Sequence, residues 1–174
     1  MPPAQQPDAS TGLDGDRDSG PRRVTFCMQW LPSYRVEFYE ALSRRLADLS
    51  IEVKVVHGDP PSSRKQRRDR ADLPWGLFRP NTEIRVRGIE ATWQRAWAAS
   101  RSSDLIVVQQ EAALLFNYVA LAQRALGGPK VAMWGHGEFS DHTRQNQTAE
   151  RLKQLVTPRA DWFFAYTERS AEIV

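Results

Sequence analysis

The chain is short of the residues that build most recognisable chemistry. Cys27 is its single cysteine among 174 residues, so no internal disulfide can form and no thiolate cluster can hold a metal. It falls inside a mostly apolar run, where it reads as a small buried hydrophobe. Only three histidines occur, and His136, Asp141 and His142 match no strong zinc spacing, so no metal is expected. The glycine fingerprint GxGxxG does not follow the first apolar run, and the phosphate-loop pattern GxxxxGKS/T is absent as well; an ordinary dehydrogenase and a P-loop NTPase are thereby disfavoured. A nucleophile elbow, GxSxG, does not occur either, which speaks against a serine hydrolase of that kind. No stretch reaches the roughly 18 uninterrupted apolar residues of a membrane span, and the first residues lack the apolar core of a signal peptide. The expectation is a cytoplasmic protein.

What is present is enough for one core. Hydrophobic residues make up 41% of the chain, and the length suits a single domain. Residues 1–21 depart from that average: Pro2, Pro3, Gln5, Gln6, Pro7, Asp14, Gly15 and Asp16 offer almost nothing to bury, so this segment reads as a disordered tail ahead of one domain over 22–174. The net charge is only +3, but Arg64, Lys65, Arg67, Arg68 and Arg70 cluster in one segment. Diluted by Asp69 and Asp72, the cluster reads first as a solvated connection. Its other reading is a peripheral contact with anionic lipid at the inner membrane face, each basic residue contributing on the order of 1 kcal/mol. Nucleic acid is not expected, because no aromatic platform is interleaved with these charges.

Along the chain, strands and helices alternate. Arg22 to Trp30 predicts a strand that Pro32 stops before a helix begins near Val36. Phe38, Leu42, Leu46 and Leu49 give that helix an apolar stripe. Ile51 to Val56 predicts a second strand, nearer an edge because Glu52 and Lys54 alternate with its apolar residues. Residues 57–80, broken by Gly58, Pro60, Pro61, Pro74 and Pro80, predict a long surface connection. Glu83 to Arg87 reads as a short strand, and Thr92 to Ser100 as a short helix with Trp93 and Trp97 stacked at i and i+4 as core residues. Asp104 to Gln109 has the continuous apolar run of a central parallel strand. A helix from about Glu111 to Leu126, apolar on nearly every side, ends at Gly127-Gly128-Pro129, and Lys130 to Trp134 returns as a strand. A polar helix around Thr148 to Thr157 and a strand from Trp162 to Tyr166 complete the series. This alternation predicts an α/β fold, a Rossmann-like parallel sheet flanked by helices. Thr167 reads as the N-cap of a further helix that is cut short at Val174, so the chain is expected to be the front part of a longer protein.

In open sheets of this class, ligands bind beyond the carboxyl ends of the strands. The polar loops there are Gln29 to Arg35, Gln109 to Glu111, Gly135 to Glu138 and Tyr166 to Glu168. His136, between the permissive glycines Gly135 and Gly137, is a candidate for chemistry or sugar recognition, or else a turn cap.

Three segments carry a resemblance: Gln29-Trp30-Leu31-Pro32-Ser33-Tyr34-Arg35-Val36-Glu37-Phe38-Tyr39-Glu40-Ala41-Leu42, Trp134-Gly135-His136-Gly137, and Ala160-Asp161-Trp162-Phe163-Phe164-Ala165-Tyr166-Thr167-Glu168. Together they are similar to the N-terminal domain of a GT-B glycosyltransferase of the retaining family 4 type, over about Arg23 to Val174. The resemblance implies an acceptor-side domain, the N-terminal half of a two-domain architecture, followed by a donor-binding domain that this chain lacks; alone it would be inactive. The implied reaction moves a sugar, of hexosyl type, from a nucleotide sugar to a glycan or lipid-linked acceptor in polysaccharide biosynthesis, with retention of configuration and no cofactor beyond the nucleotide-sugar co-substrate. Pro32, Ser33, Tyr34 and Arg35 would approach donor phosphates and acceptor, and Arg35 suits an oxyanion because its planar fork can bind two oxygens. His136 would be the catalytic residue, orienting the sugar and stabilising developing charge. Gln109, Glu111, Gly135, Gly137, Glu138, Thr167 and Glu168 would complete the substrate site. Many relatives have a glycine-rich first loop, and this chain has Leu31-Pro32-Ser33-Tyr34-Arg35 instead. The alternatives are a non-catalytic sugar or nucleotide binding module, and a nucleotide-sugar epimerase of the same fold.

Overall fold

In the computed structural model, which describes residues 20–62, 71–86, 89–135 and 156–168, the first apolar run becomes strand β1 (Arg22–Trp30). Pro32 closes it, a 3-10 turn over Ser33–Arg35 follows, and helix α1 (Val36–Ala47) runs back along the sheet to β2 (Ile51–Gly58). A two-residue strand β3 (Leu77–Phe78) comes next, then β4 (Thr82–Val86), β5 (Ile89–Trp93), the single-turn helix α2 (Trp97–Ser100) and β6 (Leu105–Gln109). Helix α3 (Leu115–Ala125), β7 (Lys130–Gly135), a 3-10 turn at Thr157–Arg159 and β8 (Trp162–Ala165) complete the described chain.

Six of these strands form one parallel sheet in the order β3-β2-β1-β6-β7-β8. This is the expected α/β, Rossmann-like arrangement, with the strand order reversing between β1 and β6, the place where doubly wound sheets open a crevice. Side-chain alternation along each strand sorts the core into two layers. Phe26, Met28, Val53, Val55, Val107 and Ala132 face α1 and bury Tyr39 and Leu31 with them. Cys27, Ile106, Val108, Val131 and Met133 face the other way, against Phe116, Ala120 and Leu121 of α3. Cys27 is a buried hydrophobe, as its position in the apolar run implied.

Several local expectations are corrected. Thr92 and Trp93 belong to strand β5, paired antiparallel with β4 in a separate hairpin, and the helix after them spans only Trp97–Ser100. Trp93 and Trp97 therefore do not stack along one helix, and Trp97 is exposed. The i, i+4 spacing was a coincidence of a strand end and a helix start. The long connection holds β3, too short to leave a period. On α1 the buried residue is Tyr39, flanked by the partly buried Leu42 and Leu46, while Phe38 is exposed, as is Leu49, which lies in the turn beyond the helix. Helix α3 starts at Leu115, because Glu111–Leu114 is spent on turns. Its polar Asn117 and Gln123 are buried, and the Asn117 amide ties back to the carbonyls of Gln109 at 2.8 Å and Glu111 at 3.1 Å. The expected helix at 148–157, the tail expected at 1–21 and the helix expected after Thr167 lie mostly outside the described residues.

Candidate functional site

The carboxyl rim of the sheet is built from side chains that close one crevice and leave another cluster charged. At the reversal between β1 and β6, the last turn of β1 is fully engaged. The backbone N–H of Gln29 donates to Oε1 of Gln109 at 2.7 Å, and its carbonyl accepts from Nδ2 of Asn81 at 2.6 Å. Its side-chain amide donates to the Thr92 hydroxyl at 3.0 Å. Thr92 in turn donates its N–H to the carbonyl of Ala113 at 2.8 Å and bridges to Leu114. The β4–β5 hairpin is thus stitched over the crevice that dinucleotide folds use for phosphate. Gly58 is part of this closure, because a Cβ there would stand 2.5 Å from the Asn81 side chain.

The charged cluster lies on the α1 face, where the loop after β1 meets the ends of β7 and β8. The register pairs Trp134 with Phe164 and Gly135 with Ala165, so Trp134 points to the α1 side and Tyr166 follows directly at the rim. The guanidinium of Arg35 sits over the Trp134 ring, 4.8 Å from its centroid, with the rings of Tyr34 and Tyr166 at 5.7 and 5.8 Å. Its Nη2 donates to the Tyr166 hydroxyl. Trp134 is itself wedged by Phe26, Phe38, Tyr39 and Tyr166, at centroid distances of 5.4 to 6.3 Å. These contacts form an aromatic box around one cation.

The electrostatics of the box are unusual. No carboxylate among the described residues pairs with Arg35, and its Nη1 is buried without a hydrogen-bond partner. The hydroxyl of Tyr39, a residue with no exposed surface, is likewise buried without a partner. Burial works against the Arg35 charge, but the facing phenols of Tyr166, Tyr39 and Tyr34 outweigh it and hold the pKa above its usual value. Burial pushes the Tyr39 phenol up, and the neighbouring guanidinium offsets part of that. The Tyr166 phenol is raised for the same reason and opposed in the same way.

The expected site residues fall into place unevenly. Arg35 and Tyr34 stand in the box; Ser33 is exposed beside them, and Pro32 is buried, its carbonyl accepting from the Arg35 N–H at 3.0 Å. Gln109 serves the closed crevice. The N–H of Glu111 donates to the Gln109 carbonyl at 2.8 Å in a tight turn. Gly135 is buried, and its carbonyl accepts from the N–H of Tyr166 at 3.3 Å. Thr167 and Glu168 are exposed at the same rim. His136, Gly137 and Glu138, and the basic run Arg64, Lys65, Arg67, Arg68 and Arg70, lie outside the described residues. Sequence reasoning put Tyr166 in a rim loop without giving it a role, and missed Trp134 and Tyr39 as site walls; the signal for Trp134 and Tyr166 was the two-residue alternation that sets Trp134 with Ala132 and Tyr166 with Phe164. Among the described residues no three His, Cys, Asp or Glu side chains gather as a metal site, and no helix is long and apolar enough to cross a membrane.

No protein-family model matches the chain, and no curated protein matches it. Among solved structures, it is similar to the UDP-GlcNAc 2-epimerase from Methanocaldococcus jannaschii, with 16% sequence identity and a TM-score of 0.50. The similarity covers 87% of this chain and 41% of that one, so this chain spans less than half of the enzyme it resembles. At that identity the likeness bears on the fold, a Rossmann-like sheet of the GT-B type.

Proposed function

We propose that this chain is the acceptor-side domain of a GT-B-type enzyme acting on a nucleotide sugar, and that the enzyme is a retaining glycosyltransferase resembling family 4. The observation that carries the reading is Arg35, a cation held at the carboxyl rim of a parallel sheet with no carboxylate partner among the described residues. An oxyanion is what such a group lacks, and a guanidinium grips phosphate through two donors at once. In this reading a donor-binding domain complements this one in the complete enzyme.

In the transfer, the bond from the anomeric carbon to the leaving phosphate breaks as a bond to the acceptor oxygen forms on the same face. The acceptor proton passes to the departing phosphate. Arg35 would stabilise charge on that phosphate, with Tyr34 and Ser33 beside it. His136 would orient the sugar, flanked by Gly135, Gly137 and Glu138, while Gln109, Glu111, Thr167 and Glu168 border the acceptor. The acceptor is a glycan or a lipid-linked sugar, and the basic run around Arg67 would hold the enzyme at an anionic membrane face from the cytoplasm. No cofactor is required beyond the sugar donor.

The test is a screen of nucleotide sugars against the complete enzyme, with and without acceptor. Nucleotide diphosphate released only when acceptor is present supports transfer, and Arg35→Ala is expected to lower kcat/KM by tenfold or more. His136→Ala is expected to lower kcat by about a hundredfold. A second reading, epimerisation of the nucleotide sugar, is favoured by the similar solved structure named above. Interconversion of two nucleotide sugars with no acceptor added would replace the first reading with the second. Binding without turnover under any condition would leave a recognition module.

A further inference from the structure

Arg35 and Tyr39 together present two buried polar groups that the fold leaves unsatisfied. Neither Nη1 of Arg35 nor the Tyr39 hydroxyl makes a well-formed hydrogen bond, although the two side chains lie close enough for the guanidinium to favour the ionised phenol of Tyr39. Native interiors rarely keep such atoms, because each unmade bond in a buried site carries a penalty and a side chain of the same shape without the polar atom would avoid it. Phe in place of Tyr39 would fill the same space between Phe26, Phe38 and Trp134. A hydroxyl retained there beside a guanidinium, with no well-formed bond between them, is a group held ready for a further partner.

We infer that Nη1 of Arg35 and the hydroxyl of Tyr39 form a two-point pocket for one oxygen of a phosphate or carboxylate, entered when Tyr34 swings aside. Both groups can donate to the same oxyanion, one from a charged fork and one from a phenol. The walls differ in their freedom. Trp134 is fixed by four aromatic neighbours. Tyr34, by contrast, is 70% exposed and contributes a ring 5.7 Å from the guanidinium carbon. Tyr166 holds Nη2, which leaves Nη1 as the free arm of the fork. The inference rests on the reading of Arg35 as the anion-binding residue, and it adds Tyr39 as a second contact that the sequence did not single out.

The experiment titrates the purified protein with inorganic pyrophosphate and with UDP, following Trp fluorescence and thermal unfolding, for the wild type and for Tyr39→Phe. The expected result has two opposed signs. Without anion, Tyr39→Phe unfolds about 2–4 °C higher, the scale of one removed penalty in a chain of this size. With anion, its affinity is at least tenfold weaker, and the ligand-induced rise in Tm shrinks accordingly. If the two groups satisfy one another in solution, Tyr39→Phe unfolds lower and binds pyrophosphate as the wild type does; that result overturns the pocket and leaves the reading of Arg35 standing. If Arg35→Ala also leaves UDP and pyrophosphate binding unchanged, the functional reading falls with it. Tyr34→Ala provides an independent check: faster association with unchanged Tm supports the moving wall, and slower association overturns it.

Discussion

The guanidinium carbon of Arg35 stands 4.8 Å above the ring of Trp134, while the same ring meets Tyr166 at 5.4 Å and 32°. A loop after the first strand and the ends of two later strands are joined by this one contact. An indole under a cation senses any change in that cation's position, so Trp134 is a built-in reporter of ligand arrival. Arg35→Lys is expected to keep the fold, because an ammonium also sits favourably over an indole face. It should weaken UDP binding by tenfold or more, since a point charge cannot reproduce the planar fork. Titration with Trp emission as readout checks this; equal affinities would mean that Arg35 serves the box and not a ligand.

Gly135 ends β7 where a side chain has no room. A Cβ there would stand 2.6 Å from both Cβ and Oε1 of Gln110, whose amide in turn donates to the Thr157 hydroxyl at 3.2 Å. The Oε1 contact can be relieved by rotation, but the Cβ contact is backbone-bound. Gly135→Ala is therefore expected to destabilise by about 1–3 kcal/mol, the usual scale of overpacking. Gln110→Gly in the same chain should recover part of that loss in a denaturant titration, and additive losses would show that the two positions do not collide.

The stitched crevice gives a prediction about the hairpin. Thr92→Val keeps the shape but removes the acceptor of the Gln29 amide, a bond buried on both sides. The stranded amide should cost about 1–3 kcal/mol. If that bond is what fastens the hairpin, amide protons of β4 and β5 will exchange faster in the variant while those of β1 and β6 keep their protection. Uniform loss of protection over all four strands would mean that the hairpin folds and opens with the whole sheet.

Much of this arrangement could be read from the amino-acid order, and what could not has a common cause. The parallel sheet was legible because Asp104 to Gln109 and Lys130 to Trp134 are apolar runs between helical stretches, and a strand buried on both faces leaves that trace. Helical spacing put Phe38 in the core in place of Tyr39, because both positions fit a stripe through Leu42 and Leu46 and hydrophobicity alone cannot rank a phenol above a phenyl. The strand expected at Glu83 to Arg87 is β4 of the hairpin, but the end of its partner β5, Thr92 and Trp93, reads as helix because two tryptophans four apart fit both. What holds Thr92 in a strand is its bond to Ala113 and its contact with Gln29, 63 positions away. The rim loops were legible as a site, since glycine, proline and polar residues collect where strands end. The box was not, because it depends on register: only the pairing of Trp134 with Phe164 brings Tyr166 over Arg35.

Asp161 gives the fold a defined response to acid. Its carboxylate accepts from Nε and Nη2 of Arg124 at 2.6 and 2.7 Å and from the backbone N–H of Val131 at 2.9 Å, so it ties the end of α3 to the starts of β7 and β8. The hydrogen bonds from Arg124 hold its pKa below the ordinary carboxylate value, although partial burial pulls the other way. A carboxyl whose pKa is lower folded than unfolded stabilises the fold above the unfolded value, about 3.9, and loses that contribution as pH falls through the folded value. Both side chains are well solvated, so the effect is modest and shrinks with added salt. Asp161→Asn should therefore lower Tm at pH 7, and the gap from the wild type should close as pH is taken below about 3.9. A gap that stays constant down to pH 2 would assign the loss to the Val131 hydrogen bond and remove the charge from the account.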